Sequence, residues 1–144
     1  MDLETYIQKI ARQFEIDQKA RLEEDIDWEK THQIDKESCE LLKSFISKFG
    51  YPSVKKFGFK VSHNAWLLAQ HSTHDIPFQE YYLSLMNQEN EDESKIDRAY
   101  LTDRVAMMKN EPQIYGTQSV FNKETNKWET YNLLDPLSDI VIHE

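Results

Sequence analysis

The sequence predicts a mainly α-helical domain of about five helices with a C-terminal β-hairpin packed on them, an α+β arrangement. Two observations carry this expectation. Apolar residues recur every three to four positions in five stretches separated by Gly, Pro or polar runs, and after Pro112 the pattern changes to β-branched and aromatic residues flanking a polar turn. At 144 residues the chain has the length of one domain and can bury roughly two-thirds of its unfolded surface without disulfides or a structural metal. No internal repeat or low-complexity linker divides it, so residues 1–144 read as a single domain.

The first helix is expected from Leu3, where Tyr6, Ile7, Ile10 and Phe14 share one face, and it fades in the acidic stretch Glu23-Glu-Asp-Ile-Asp27. A second runs from about Asp35, a candidate N-cap, through Leu41, Leu42, Phe45, Ile46 and Phe49. Gly50-Tyr-Pro52 ends it, because glycine accepts the left-handed cap and proline cannot continue a helix. Ser62 is the expected cap of a third helix carrying Ala65-Trp-Leu-Leu-Ala69, whose unbroken apolar run marks it as central. Pro77 suits the first turn of a fourth, with Phe78, Tyr81, Tyr82, Leu85 and Met86 at helical spacing before an exposed loop from Asn87 to Ser94. A fifth spans Ile96 to Lys109 and ends at Asn110-Glu-Pro112. The hairpin strands are then Gln113–Phe121 and Trp128–Leu133, joined by Asn122-Lys-Glu-Thr-Asn-Lys127.

Composition narrows the partners. Seventeen basic against 26 acidic residues give a formal charge of −9, which repels phosphate backbones and anionic lipid, and no Lys/Arg cluster offers a local exception. Nucleic acid and membrane surfaces are therefore not expected partners. Met1-Asp-Leu-Glu-Thr5 lacks the basic region and apolar core of a signal peptide, and no run approaches the roughly 18 apolar residues of a membrane span, so a cytoplasmic protein is expected. Cys39, the single cysteine, lies in a helical apolar pattern and reads as a buried inert thiol.

Three sets of polar residues sit where the pattern calls for core. With about 100° per residue on the fifth helix, Asp103 and Arg104 fall inside the apolar arc of Ala99, Tyr100, Leu101, Met107 and Met108. Stranding a buried charge typically costs about 3 to 5 kcal/mol, so both need partners. Either they join other helices in a structural network, or Arg104 offers its planar fork to an anionic or carbonyl group while Asp103 orients a histidine or the arginine itself. On the third helix, His63, Leu67, Gln70, His71 and His74 share one stripe. His71 is then a satisfied core histidine, a catalytic or ligand-binding group, or a metal ligand, and with no cysteine pair or complete His-Glu motif no metal centre is assigned. In Gln113-Ile-Tyr-Gly-Thr-Gln118, strand alternation puts Gln113, Tyr115 and Thr117 on one face and Gly116 with Gln118 on the other, Gly116 marking a bulge or a close approach. The plain alternative makes Tyr115 a core aromatic and the glutamines helix caps.

Gly50-Tyr-Pro52, Ala65-Trp-Leu-Leu-Ala-Gln-His71, Ala99-Tyr-Leu-Thr-Asp-Arg104 and Gln113-Ile-Tyr-Gly-Thr-Gln118 together resemble an uncharacterised bacterial domain family, over about Asp17 to Asp135. The family-typical positions map onto Gln70, His71, Asp103, Arg104, Gln113, Tyr115, Gly116 and Gln118. Asp17-Gln-Lys-Ala-Arg21 is also family-like and adds Asp17, Gln18 and Arg21 as outer candidates. The chain departs from the family where a glycine is expected after the fifth helix, which is Asn110 here, and in a C-terminus, Asp135 to Glu144, without the usual basic continuation. The resemblance carries no activity, substrate or cofactor.

The leading expectation is a small-molecule-binding or small-molecule-processing pocket. His71 transfers protons, Asp103 orients it, Arg104 binds an anionic or carbonyl group, and Gln70, Gln113, Tyr115, Thr117 and Gln118 line the ligand. The rival is an interaction module, immunity-type or regulatory, that binds a basic protein partner through the acidic runs Glu23–Asp27 and Glu89–Glu93. A third reading makes the polar set a buried network that fixes helix register.

Overall fold

The computed structural model describes residues 1–132. Helices α1 (Leu3–Arg21), α2 (Trp28–Phe49), α3 (Val54–Phe57), α4 (Phe59–Gln70), α5 (Ile76–Glu89) and α6 (Lys95–Met108) precede an antiparallel hairpin of β1 (Ser119–Asn122) and β2 (Lys127–Thr130). A mainly helical fold with a C-terminal hairpin is thus what the chain forms. Leu133 and the segment Asp135 to Glu144 lie outside the described residues.

Helix α4 is the hub. It packs against α1, α2, α3, α5 and α6, and Ala65, Trp66, Leu68 and Ala69 are all buried on it. Its apolar run leaves little solvent face, so neighbours must cover it nearly all round. Around it gather Tyr6 and Ile10 of α1, Leu42 and Phe45 of α2, Tyr82 and Met86 of α5 and Leu101 of α6, in one continuous core. Phe45 is the aromatic hinge of that core, with Tyr6 and Phe57 edge-on at 6.0 and 5.4 Å between ring centroids.

Several boundaries differ from the expectation, each for a local reason. α2 starts at Trp28, capped by Asp27, whose carboxylate accepts from the Lys30 amide at 3.1 Å. Asp35 is therefore no cap; it lies about two turns inside the helix, on the buried face with Thr31, Ile34 and Ser38. The sparse apolar content of Trp28–Gln33 conceals that first stretch. α4 likewise begins at Phe59, and Ser62 is buried within it rather than capping it. The sixth helix, α3, is one short turn capped by Ser53, with the Glu91 carboxylate accepting from the Val54 and Lys55 amides at 2.9 and 2.8 Å. α5 continues through Glu89 because Asn90 takes the left-handed conformation (φ 48°, ψ 47°) and closes it, so only the rest of the expected Asn87–Ser94 loop is non-α. Asn110, where the family pattern suggests glycine, has φ +60°, the region asparagine enters most easily among residues with a side chain.

The first strand is shorter than expected, and the reason matters for the site. Gln113 N–H donates to the Asn132 carbonyl at 2.8 Å and Tyr131 N–H to the Gln118 carbonyl at 2.9 Å, so the ladder continues beyond the hairpin proper. Residues 114 to 117 are looped out between those two bonds. Gly116, at φ +77°, permits the reversal that a side chain would oppose.

Burial on the α4–α5 side carries a pH consequence. Tyr82 is fully buried and packs against Tyr51 at 5.5 Å, and burial pushes the Tyr51 hydroxyl up to about 12 and that of Tyr82 well above its ordinary range. A folded value raised above the unfolded value near 10 gives stability that is complete below pH 10 and lost as pH rises towards 12. Tyr51 alone should contribute a loss of about 2 to 3 kcal/mol across that window. Tyr51→Phe is expected to flatten the alkaline limb of a denaturant-stability profile, with only a pH-independent offset near pH 7 to 9 from the lost Ser62 hydrogen bond.

Candidate functional site

Asp17 and Arg21 stand four residues apart on α1, one turn, so their side chains share a face. Arg21 Nη1 lies 3.1 Å from Asp17 Oδ2, too oblique for a directed hydrogen bond, while Nη2 donates to Asp35 Oδ1 and Oδ2 of α2 at 3.0 and 2.9 Å. His71, the C-cap residue of α4, turns Nδ1 onto Asp17, 3.0 Å from Oδ1 and 2.8 Å from Oδ2. Gln18 Nε2 adds a donor to Asp17 Oδ1 at 3.2 Å. One chain of ion pairs and hydrogen bonds thus runs Asp35, Arg21, Asp17, His71 and ties three helices together.

Burial decides how strongly that chain is held. The Asp17 side chain is fully buried and Asp35 nearly so, whereas His71 keeps 14% of its side-chain surface exposed. A carboxylate accepts, so Nδ1 carries the proton in the Asp17 contact, and in the neutral ring Nε2 holds the lone pair. Nε2 has no hydrogen-bond partner among the described residues. Asp17, Asp35 and His71 also offer ligand atoms within 4.8 Å of one another, close enough to share one cation. The Arg21 guanidinium already supplies positive charge between the two carboxylates, which argues for an ion-paired relay over a metal cage.

The Asp103 expectation is corrected in one respect. His71 takes its carboxylate from Asp17, not Asp103. Asp103, fully buried on α6, spends both oxygens on the looped-out segment: Oδ1 accepts from the Ile114 and Tyr115 amides at 2.8 and 3.0 Å, and Oδ2 from Thr117 N–H at 2.9 Å and its hydroxyl at 2.8 Å. These amides turn inward to the carboxylate rather than sideways to a strand, which is why the segment is not β. Gln113 staples its base, donating from Nε2 to the Gln118 and Tyr131 carbonyls at 3.0 and 2.6 Å and accepting the Gln118 amide at 2.8 Å. Arg104 Nε donates to Gln118 Oε1 at 2.6 Å, and Gln118 Nε2 to Thr117 Oγ1 at 2.9 Å.

The candidates therefore fall into two groups. His71 belongs with Asp17, Arg21 and Asp35; Asp103, Arg104, Gln113, Thr117 and Gln118 form the second network. Gln70 precedes His71 in the chain but turns to α6, through a 3.3 Å bond from Nε2 to the Tyr100 carbonyl; among the described residues its buried Oε1 has no partner, and neither has Trp66 Nε1 one turn earlier. Tyr115 leaves the second network through its side chain, which lines a groove with Arg98 and Thr102. On the histidine stripe, His63 Nδ1 pairs with Asp97 Oδ2 at 2.8 Å and stacks between Phe59 and Trp66 at 5.4 and 5.1 Å. Burial pushes the Asp97 carboxyl up, and the His63 contact opposes that shift. Asp35 is the site residue the sequence conceals, since its placement was masked by its resemblance to a cap; an Arg21 with one carboxylate in its own turn is the signal that a second was due.

A helical domain with a buried carboxylate–histidine pair at the end of its central helix is thus defined. Residues 17–132 match a family of unknown function (DUF6624), and the chain belongs to that family. No curated protein and no solved structure matches it.

The second network yields a stability expectation. Asp103→Ala would leave three inward-facing amides without an acceptor and should cost about 3 to 5 kcal/mol. Urea denaturation reads the loss, and hydrogen exchange should report open amides at Ile114, Tyr115 and Thr117. Asp103→Asn keeps one acceptor oxygen and should cost less. A loss under about 1 kcal/mol for Asp103→Ala would mean that something other than this carboxylate holds the loop.

Proposed function

We propose that this domain binds a small molecule at the exposed edge of His71 and moves a proton on it, with His71 Nε2 as the acceptor and donor. The observation that carries the reading is the one-sided anchoring of the ring: Nδ1 faces a fully buried carboxylate while Nε2 is unpartnered among the described residues. An imidazole so held presents a lone pair in fixed orientation, and the imidazolium formed on proton uptake faces the Asp17 carboxylate. Asp17 is thereby a positioning residue, Arg21 fixes Asp17, and Asp35 fixes Arg21.

The rival, an acidic module for a basic protein partner, retains one supporting observation: Glu23, Glu24, Asp25 and Asp27 are exposed. The second acidic run favours it less, since Glu91 is engaged in holding the first amides of α3.

A thermal-shift screen of wild type and His71→Ala against metabolites, nucleotides and divalent metals tests the proposal. A ligand at a hundred times its dissociation constant should stabilise the wild type by about 2.7 kcal/mol, and the shift should vanish in His71→Ala. Once a turnover assay follows from the ligand, Asp17→Asn should lower the rate by about 10²- to 10⁴-fold with binding largely kept, while nitrogen NMR shows the ring losing its single tautomer. A folded His71→Ala protein that keeps every ligand response would end the proposal.

A further inference from the structure

We propose that the groove beneath Tyr115, where the end of α5 meets α6, is a second binding site, for a small anion with a flat apolar body, and that it works independently of the His71 dyad. The groove has a volume of about 260 Å³, just under the roughly 300 Å³ at which small-molecule pockets usually begin, so its ligand is of single-ring size with a charged group attached.

The charge of its walls is what needs explaining. In a chain of net charge −9, the lining among the described residues contains Lys95 and Arg98 and no carboxylate. Lys95 makes no ion pair or hydrogen bond among the described residues. Arg98 donates from Nη1 to the Glu91 carbonyl at 3.2 Å, a contact that aims the guanidinium without neutralising it.

The apolar half is equally specific. Ala99 forms part of the groove wall and Ile96, 54% exposed, flanks it. Tyr115 stands opposite, and its ring and hydroxyl have no partner among the described residues although its own amide is bound to Asp103. The loop that carries Tyr115 is fixed by four hydrogen bonds to that buried carboxylate, so the ring is presented from a rigid support. Rigid presentation lowers the ordering cost of binding. A flat ring would lie against Tyr115 and Ile96, with its anionic group at Lys95 and Arg98.

Two matched pairs of probes test this by amide NMR: benzoate against benzamide, and phenyl phosphate against phenol. At least one anion should give saturable shifts at Lys95–Thr102 and Tyr115–Thr117 that weaken with added salt, with its neutral counterpart about tenfold weaker or more. Lys95→Gln and Tyr115→Ala should each weaken that binding by a similar factor, and His71→Ala should leave it unchanged. Three results would overturn the proposal: no saturable shift with either anion, neutral probes binding as well as the anions, or shifts centred on His71 and abolished by His71→Ala. The last would return the anion to the first site and leave the proton-transfer reading standing.

Discussion

The complete burial of the Asp17 carboxylate is the constraint on which the rest of the arrangement depends. An isolated charge in a low-dielectric interior is far too costly to keep, so Asp17 requires partners, and it finds them in the Arg21 charge and in the Gln18 and His71 donors. Those donors come from α1 and from the end of α4, and the second hand of Arg21 reaches Asp35 on α2. The packing of the three helices and the orientation of the imidazole are therefore one problem with one solution. Displacing α1 along α4 would break the histidine contact and strand the acid together.

A second buried acid solves a different problem with the same physics. Asp103 replaces the strand partner that residues 114 to 117 lack, taking three main-chain amides and one hydroxyl. The hairpin itself is largely exposed, with Trp128 at 72%, so its attachment rests on this loop more than on apolar burial. Both acids answer to the rule that buried polar groups must be satisfied, but they differ in what they hold. Asp103 fixes backbone. Asp17 fixes a titratable ring whose other nitrogen is left over.

Much of this was legible in the sequence. Apolar spacing locates five of the six helices, since periodicity and Gly, Pro or Asn punctuation are local properties, and the wheel of α6 singles out Asp103 and Arg104 as charges in a core arc. What local pattern cannot supply is partnership. His71, Asp17 and Asp35 are separated by 54 and 36 residues in pairs that meet only through the packing of α1, α2 and α4, so the choice between Asp17 and Asp103 as the histidine's partner had no local signature. Alternation also misassigned residues 114 to 117, because a buried carboxylate outcompeted the neighbouring strand for their amides. The four-residue α3 was missed for a simpler reason: one turn is too short to show a period.

The contrast between the two networks bears on which residues serve the fold and which remain for a ligand. A network evolved only to hold structure gains by satisfying every member, because each buried polar atom left over costs free energy comparable to a lost hydrogen bond. Gln113, Thr117, Gln118 and Asp103 meet that standard, with their side-chain polar atoms engaged. At His71 the standard is not met: Nδ1 is held by Asp17 and Nε2 is unspent among the described residues. An oriented lone pair left open at the end of the central helix is capacity that the fold alone does not require. The arrangement becomes economical if a bound molecule completes it, which is why the incomplete network, rather than the more elaborate complete one, is the better candidate for chemistry.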